Sequence, residues 1–154
     1  MTEEVRVESP ESADATGSRA LGVLIARVVL SLLFLMAGIF KVFQMGALNH
    51  AEQFFLPYGE TFLPLWSLWI AGVTVPFVEL VGGGMLLVGW KSRWACGALG
   101  GVLCLVTFGH LLRDPLFEVH THVMPRLALV VFVLLVPPRW DRFSLEGVLA
   151  RWRS

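Results

Sequence analysis

Four long apolar runs dominate the sequence after residue 20. They cover about residues 21–44, 67–90, 93–112 and 121–137. A helix needs about 20 residues, within a range of roughly 17 to 25, to cross a hydrocarbon core of about 30 Å. Three runs meet this length easily and the fourth only marginally. They are too long for barrel strands and lack the alternation of such strands. The sequence therefore predicts an all-α integral membrane protein, a bundle of four transmembrane helices.

The composition supports a membrane location and excludes one class of partner. Hydrophobic residues make up 56% of the chain and charged residues only 16%, whereas a soluble domain is about half apolar and about a quarter charged. The formal net charge is zero, and nucleic-acid binding depends on clustered Lys and Arg at the phosphates. We therefore expect membrane lipid as a partner and no nucleic acid.

Polar and apolar stretches divide the chain into three parts. Residues 1–19 are polar and acidic, so we expect a disordered N-terminal tail. Residues 20–138 contain the four runs and form the predicted transmembrane domain. Residues 139–154 form an amphipathic C-terminal segment, in which Ser144 is a predicted N-cap for a short helix lying on the membrane surface.

The segment between the first two runs has an unusual composition. Residues 45–66 are too apolar for a hydrated linker, and we expect a short interfacial helix or a partly re-entrant segment, broken near Pro57 and Gly59. This segment has no Lys or Arg, whereas Lys91 and Arg93 join the second run to the third and further arginines lie near both termini. Because cytoplasmic loops carry an excess of Lys and Arg, both termini are predicted to be cytoplasmic.

Four charged residues fall inside the predicted spans: Arg27, Lys41, Glu79 and Arg126. Charged groups at such positions face the bundle interior and usually pair. Counting about 1.5 Å per residue from the outer helix ends, Glu79 lies about 18 Å deep, Arg27 about 24 Å and Lys41 only about 3 to 6 Å. This depth favours a Glu79–Arg27 pair, with Lys41 extending to the outer interface. Lys41 remains an alternative partner if the second helix starts late.

The predicted pair has two interpretations. It either locks the first helix against the second, or Glu79 and Arg27 form a catalytic pair in which Glu79 binds or relays a proton or a polar headgroup. Pro76, one turn before Glu79, is expected to kink its helix or expose a backbone carbonyl near the carboxylate. Gly82–Gly84 and the pair Gly97 and Gly101 let helices approach closely or leave room for a flat ligand.

All four histidines fall on the outer face in this topology: His50, His110, His120 and His122. Histidine and carboxylate together are ligands of metal sites, and two histidines can hold a haem. However, His120 and His122 are two residues apart and point nearly opposite ways on a helix. We therefore predict no metal or haem, and consider instead that His110 or His122 accepts a proton at a quinone pocket.

The sequence resembles the DoxX family of small four-helix membrane proteins over about residues 20–147. The second run carries the most specific part of the resemblance, "ELVGGGMLLVGWKSR", and the motif "FSLEG" follows the last run. The residues that carry the resemblance are Arg27, Gly38, Lys41, Glu79, Gly83, Gly89 and Arg93.

This resemblance implies a protein of the bacterial cytoplasmic (inner) membrane. Some DoxD-type relatives are subunits of thiosulfate:quinone oxidoreductase, so the resemblance implies a membrane subunit of a quinone-linked oxidoreductase, related to sulfur or redox stress. A bound quinone would be held by Glu79, Gly83, Lys41, His110 and His122. The alternative is a non-catalytic membrane anchor or assembly subunit that docks a partner protein or forms a homo-oligomer.

Overall fold

The computed structural model describes residues 10–113, 121 and 123–152. Within these residues the chain is helical and has no strand, which confirms the all-α prediction. The helices are α1 (Pro10–Ile39), α2 (Ala47–Phe54), α3 (Leu65–Val88), α4 (Ser92–Arg113), α5 (Met124–Leu135) and α6 (Leu145–Trp152). A π-helical turn, Phe40–Gln44, continues α1, and 3-10 turns cover Leu56–Glu60 and Pro138–Trp140.

Among the described residues, three helices are long and apolar enough to cross a membrane: Ala15–Gln44, Leu65–Val88 and Ser92–Arg113. These are the first three predicted spans. The fourth is not confirmed, because α5 has only 12 residues and extends about 18 Å against a hydrocarbon core of about 30 Å. The chain is thus a membrane protein with three helices of spanning length and a shorter apolar fourth.

The three long helices and the shorter α5 pack as a closed bundle. α1 contacts α3 and α5, and α4 also contacts α3 and α5. The core between them is formed by buried residues that include Leu30, Phe34, Leu86, Leu99 and Val130. The outward-facing side chains are also largely apolar, which suits contact with lipid.

Glycines set the contact between α1 and α3. A Cβ built on Gly83 would lie 2.6 Å from the backbone nitrogen of Leu35, and one on Gly38 would contact the backbone of Leu80. The two backbones therefore touch, with no room for a ligand between them. No described atom lies within 4 Å of a Cβ built on Gly97 or Gly101. Among the described residues, neither glycine makes the close helix contact that their spacing suggested.

The start of the first helix was predicted wrongly, whereas the cap of the last helix was predicted correctly. α1 begins at Pro10, well before the predicted start near residue 21, so residues 10–19 are helical where a disordered tail was expected. Residues 1–9 of that tail lie outside the described residues. The Ser144 cap is confirmed, because the backbone N–H of Gly147 donates to Ser144 Oγ at 3.0 Å.

The segment between α1 and α3 follows the prediction. It contains a short helix, α2, and then the 3-10 turn that includes Pro57 and Gly59. α2 packs on the first turns of α3, where a Cβ on Gly72 would lie 2.6 Å from Cβ of Ala51. We call this end of the bundle the α2 end, and the opposite end, where α6 lies, the α6 end.

Candidate functional site

Lys41 and Glu79 form an ion pair near the α2 end. Lys41 Nζ donates to both carboxylate oxygens, at 2.9 Å to Oε1 and 2.6 Å to Oε2. The Glu79 side chain is only 8% exposed and the Lys41 side chain 25%. The predicted pairing of Glu79 with Arg27 is therefore wrong, and the alternative partner, Lys41, is the one that the structure places there.

The packing register of the two helices explains this partner. Gly38 lies against Leu80 and Leu35 against Gly83, so the antiparallel helices α1 and α3 continue with Lys41 beside the turn that contains Glu79. α3 starts beside α2 and extends past the end of α1. The outer ends of α1 and α3 lie at different heights. Depths counted separately from these two ends therefore predicted the wrong pair of charges.

Arg27 is fully buried at the α6 end, where it joins three parts of the chain. Its Nη1 donates to the carbonyl of Leu86 at 2.7 Å, and its Nη2 to the carbonyl of Phe143 at 3.2 Å. Its Nε lies 3.4 Å from the Asp141 carboxylate. Arg27 therefore satisfies carbonyls at the C-terminal end of α3 and ties the segment before α6 to the bundle. This position excludes a catalytic partnership with Glu79.

Gly89 makes this joint sterically feasible. It ends α3 with φ +74°, a left-handed conformation typical of a helix C-cap. A Cβ at this position would contact the Arg27 guanidinium and lie 2.7 Å from Ser144 Cα. Both the conformation and the contact therefore require glycine.

His50 completes the polar group at the α2 end by bonding to a carbonyl that a proline leaves free. Pro76 has no N–H, so the carbonyl of Gly72, four residues earlier, lacks its helical donor. His50 Nδ1 lies 2.7 Å from that oxygen. A carbonyl only accepts, so Nδ1 carries the proton and, in the neutral ring, Nε2 is an acceptor. The carbonyl that Pro76 was expected to leave free is that of Gly72, and His50 is its hydrogen-bond partner.

The environment of His50 favours the neutral ring. His50 is 4% exposed and lies on α2, outside the spanning helices. Burial lowers the pKa of His50 below its ordinary value of 6.5, and the nearby Lys41 charge lowers it further, against the opposing effects of the Gly72 hydrogen bond and Glu79. Nε2 therefore carries no proton and remains a hydrogen-bond acceptor.

A cavity of about 750 Å³ opens beside this group at the α2 end. Its wall includes Lys41, His50, Tyr58, His110 and Arg113 among its polar residues. The remainder is largely apolar and aromatic, with Phe40, Phe54, Phe55, Leu68, Val75, Leu105 and Phe108. This combination of a mostly apolar wall with a few convergent polar groups is typical of a site for a small amphipathic molecule.

Apart from Arg27, the predicted site residues separate into three groups. Lys41 and His110 line the cavity, and Glu79 bonds to Lys41 from behind its wall. Gly83 was predicted to bind cofactor, but it is packed against α1, where no ligand fits. His122 and its neighbour His120 lie outside the described residues, so the structure gives no position for either. Gly83 therefore serves helix packing, and the cavity lies elsewhere.

Sequence reasoning gave His50 no individual role, although it is the buried imidazole of the site. The available signal was Pro76, which predicts a free carbonyl at Gly72 and hence a need for a donor. The sequence does not show which donor reaches it, because α2 is placed over α3 only by tertiary packing. Among residues 10–113, 121 and 123–152, no group of three His, Cys, Asp or Glu side chains is arranged to hold a metal ion.

Comparison with known proteins identifies the family. Residues 19–114, more than half of the chain, match the family described as methylamine utilisation protein MauE. Neither the curated proteins nor the solved structures give a match. The match replaces the DoxX resemblance, which is wrong. Three glycines that suggested DoxX have structural roles in this bundle. Gly38 and Gly83 lie where α1 and α3 pack closely, and Gly89 is the C-cap of α3. The chain belongs to the MauE family of methylamine utilisation proteins.

Proposed function

We propose that this protein is a redox-related membrane subunit that binds a quinone in the cavity at the α2 end. The observation that carries the proposal is the Lys41–Glu79 ion pair beside His50 on the wall of a cavity of about 750 Å³. Buried charges inside a membrane protein are costly and mark functional sites when they face a cavity. A quinone has a polar ring with two carbonyl oxygens and an apolar tail, which matches both parts of this wall.

The chain's own groups suit such a headgroup. Lys41 presents an ammonium with three donors, of which the Glu79 carboxylate occupies the inner side, so a donor remains for a carbonyl oxygen in the cavity. The Glu79 carboxylate offsets the Lys41 charge at the cavity wall. His50, held through Nδ1 by the Gly72 carbonyl, presents Nε2 as a hydrogen-bond acceptor. A bound quinone would supply the capacity to take up or release two electrons and two protons.

The family name supports a link to amine oxidation. Using methylamine as a nutrient requires its oxidation, and the electrons released need an acceptor. A membrane quinone pool is an acceptor of the right class. The proposal therefore includes a location in the bacterial cytoplasmic membrane, with both termini cytoplasmic. In this orientation the cavity opens toward the outer side, since Lys91, Arg93, Arg139 and Arg142 all lie at the α6 end.

Quinone content tests the proposal directly. The protein is purified in mild detergent, extracted with organic solvent, and its quinone is quantified; decylubiquinone is then titrated into the extracted protein. Ala71 lines the cavity, so Ala71→Phe is expected to fill it and abolish binding. Ala98, exposed on α4 outside the cavity, gives the matched control Ala98→Phe. His50→Gln should weaken binding while the protein stays folded.

The competing function is a non-catalytic anchor or assembly subunit. In that case the purified protein contains no quinone, decylubiquinone does not bind, and Ala71→Phe behaves like Ala98→Phe. A partner protein that co-purifies with both variants would then identify the anchoring role. Equal quinone content in the two phenylalanine variants would also refute the proposed site, because the quinone would be bound elsewhere or carried in detergent.

A further inference from the structure

A second cavity, separate from the proposed quinone site, lies at the α6 end. Its volume is about 570 Å³. The polar side chains on its wall are Ser92, Arg93, Arg139, Asp141, Arg142, Ser144 and Glu146. Neither the predicted site residues nor the family description accounts for it. We call it the arginine cavity.

Ser92 supplies an unpartnered hydroxyl to the wall of this cavity. It is 7% exposed, and its hydroxyl oxygen has no hydrogen-bond partner among the described residues. A buried polar group without a partner costs about 1 to 3 kcal/mol, so such groups are rare unless something binds them. Ser92 is also the first residue of α4, where the helix dipole and the first backbone N–H groups favour an anion.

The charge of the arginine cavity also favours an anion. Three arginines face two carboxylates, and one of these, Asp141, lies 3.4 Å from the buried guanidinium of Arg27 behind the wall. Arg27 thus offsets Asp141, and Glu146 alone opposes the arginines. Arg93 and Arg139 are exposed at the mouth, and guanidinium groups bind phosphate in a bidentate manner.

The apolar part of the wall indicates what carries the anion. Val23, Val133 and Val136 line the same cavity, with Val133 and Val136 at the end of α5. Exposed tryptophans surround this end of the bundle: Trp90 is 48% and Trp94 79% exposed. Tryptophans at this density are typical of the membrane–water interface. An acyl chain can therefore lie against the valines while its headgroup meets the arginines.

We propose that the arginine cavity binds the phosphate group of an anionic phospholipid, with Ser92 donating its hydroxyl proton to a phosphate oxygen. Arg93 and Arg139 at the mouth supply the charge. The bound lipid would complete the surface between the start of α4 and the segment before α6. This site does not depend on the quinone proposal, because it lies at the opposite end of the bundle.

Thermal unfolding of delipidated protein in neutral detergent tests the site with three additives. Phosphatidylglycerol is expected to raise the melting temperature at concentrations where phosphatidylcholine with the same acyl chains does not. Inorganic phosphate should produce little shift, because it lacks the chain that contacts the valines. If inorganic phosphate alone produces the full shift, the ligand is free phosphate and the lipid assignment is overturned.

Variants separate the site from general attraction to anionic lipid. Arg93→Gln and Arg139→Gln should each weaken phosphatidylglycerol binding about tenfold, as expected for loss of one charged hydrogen bond. Lys91→Gln, at an exposed cation of the same end outside the cavity, is the control and should change binding little. Equal losses in all three variants would show only surface attraction and would refute the site.

Ser92→Ala gives the most specific outcome. It removes a hydroxyl with no partner, so the lipid-free protein should melt at a higher temperature, yet the shift produced by phosphatidylglycerol should shrink. These opposite changes are not expected from a merely structural serine. If Ser92→Ala leaves the phosphatidylglycerol shift unchanged, the hydroxyl does not bind phosphate and the proposal fails.

Discussion

The Lys41–Glu79 pair permits a double-mutant cycle with a predicted asymmetry. At an effective dielectric constant of about 20, two unit charges about 4 Å apart attract by about 4 kcal/mol, and Nζ and Oε2 are closer than that, at 2.6 Å. Removing one partner of a buried pair costs roughly 3 to 5 kcal/mol. For a chain of this length, that cost corresponds to a fall in melting temperature of roughly 6 to 20 °C.

The two single variants should fall at different ends of this range. Lys41→Met leaves the Glu79 carboxylate, 8% exposed, without its counter-charge and behind the cavity wall. Glu79→Leu leaves Lys41, 25% exposed and on the cavity, where water can reach its ammonium group. We therefore expect Lys41→Met to be the more destabilising change. The double variant should recover at least about 2 kcal/mol relative to the sum of the two.

Thermal or denaturant unfolding in detergent, with all variants in one buffer, measures the cycle. Arg27→Leu with Glu79→Leu is the control, because Arg27 contacts carbonyls at the α6 end and shares no partner with Glu79. Their effects should add. Additivity of the Lys41 and Glu79 changes, or coupling between Arg27 and Glu79 instead, would refute the assigned pairing.

Three further predictions follow from the same contacts. His50→Ala should cost about 1 to 3 kcal/mol by leaving the Gly72 carbonyl without a donor, and less in a Pro76→Ala background, where residue 76 regains its N–H; equal costs in denaturant unfolding would contradict the contact. Because the pKa of His50 is lowered on folding, the folded state resists protonation. The stability from neutral His50 should be complete above pH about 6.5 and decline as pH falls toward the lowered value; His50→Gln should flatten that part of the profile. Gly83→Ala should destabilise the bundle, because its Cβ would lie 2.6 Å from the α1 backbone, whereas Gly84→Ala meets no atom within 4 Å and should be neutral or slightly stabilising; similar melting temperatures for the two would contradict this α1–α3 contact.

Glu79 pairs with Lys41 and not with the predicted Arg27, and this difference shows the limit of prediction from sequence. The sequence correctly placed four charged groups within apolar runs, and the rule that such groups face inward holds for Arg27 and Glu79, both buried. Predicting which of these charged groups pair requires the relative heights of α1 and α3 along the bundle. In the structure α2 packs against the start of α3, and α1 packs farther along α3, so α3 extends beyond the end of α1. No local pattern in either helix encodes this offset.

The length and apolar character of the runs alone determined the helical membrane fold, because an isolated backbone in lipid must satisfy its own hydrogen bonds. Local chemistry also determined the Ser144 cap and the carbonyl freed by Pro76, since each depends on residues within a turn. Tertiary structure decided which long-range partner each polar group found. Glu79 pairs with Lys41, and the Gly72 carbonyl bonds to His50. Arg27 donates to the carbonyls of Leu86, at the C-terminal end of α3, and of Phe143. These contacts join residues far apart in the chain, so they form only where close packing of helix backbones brings the groups to the same height.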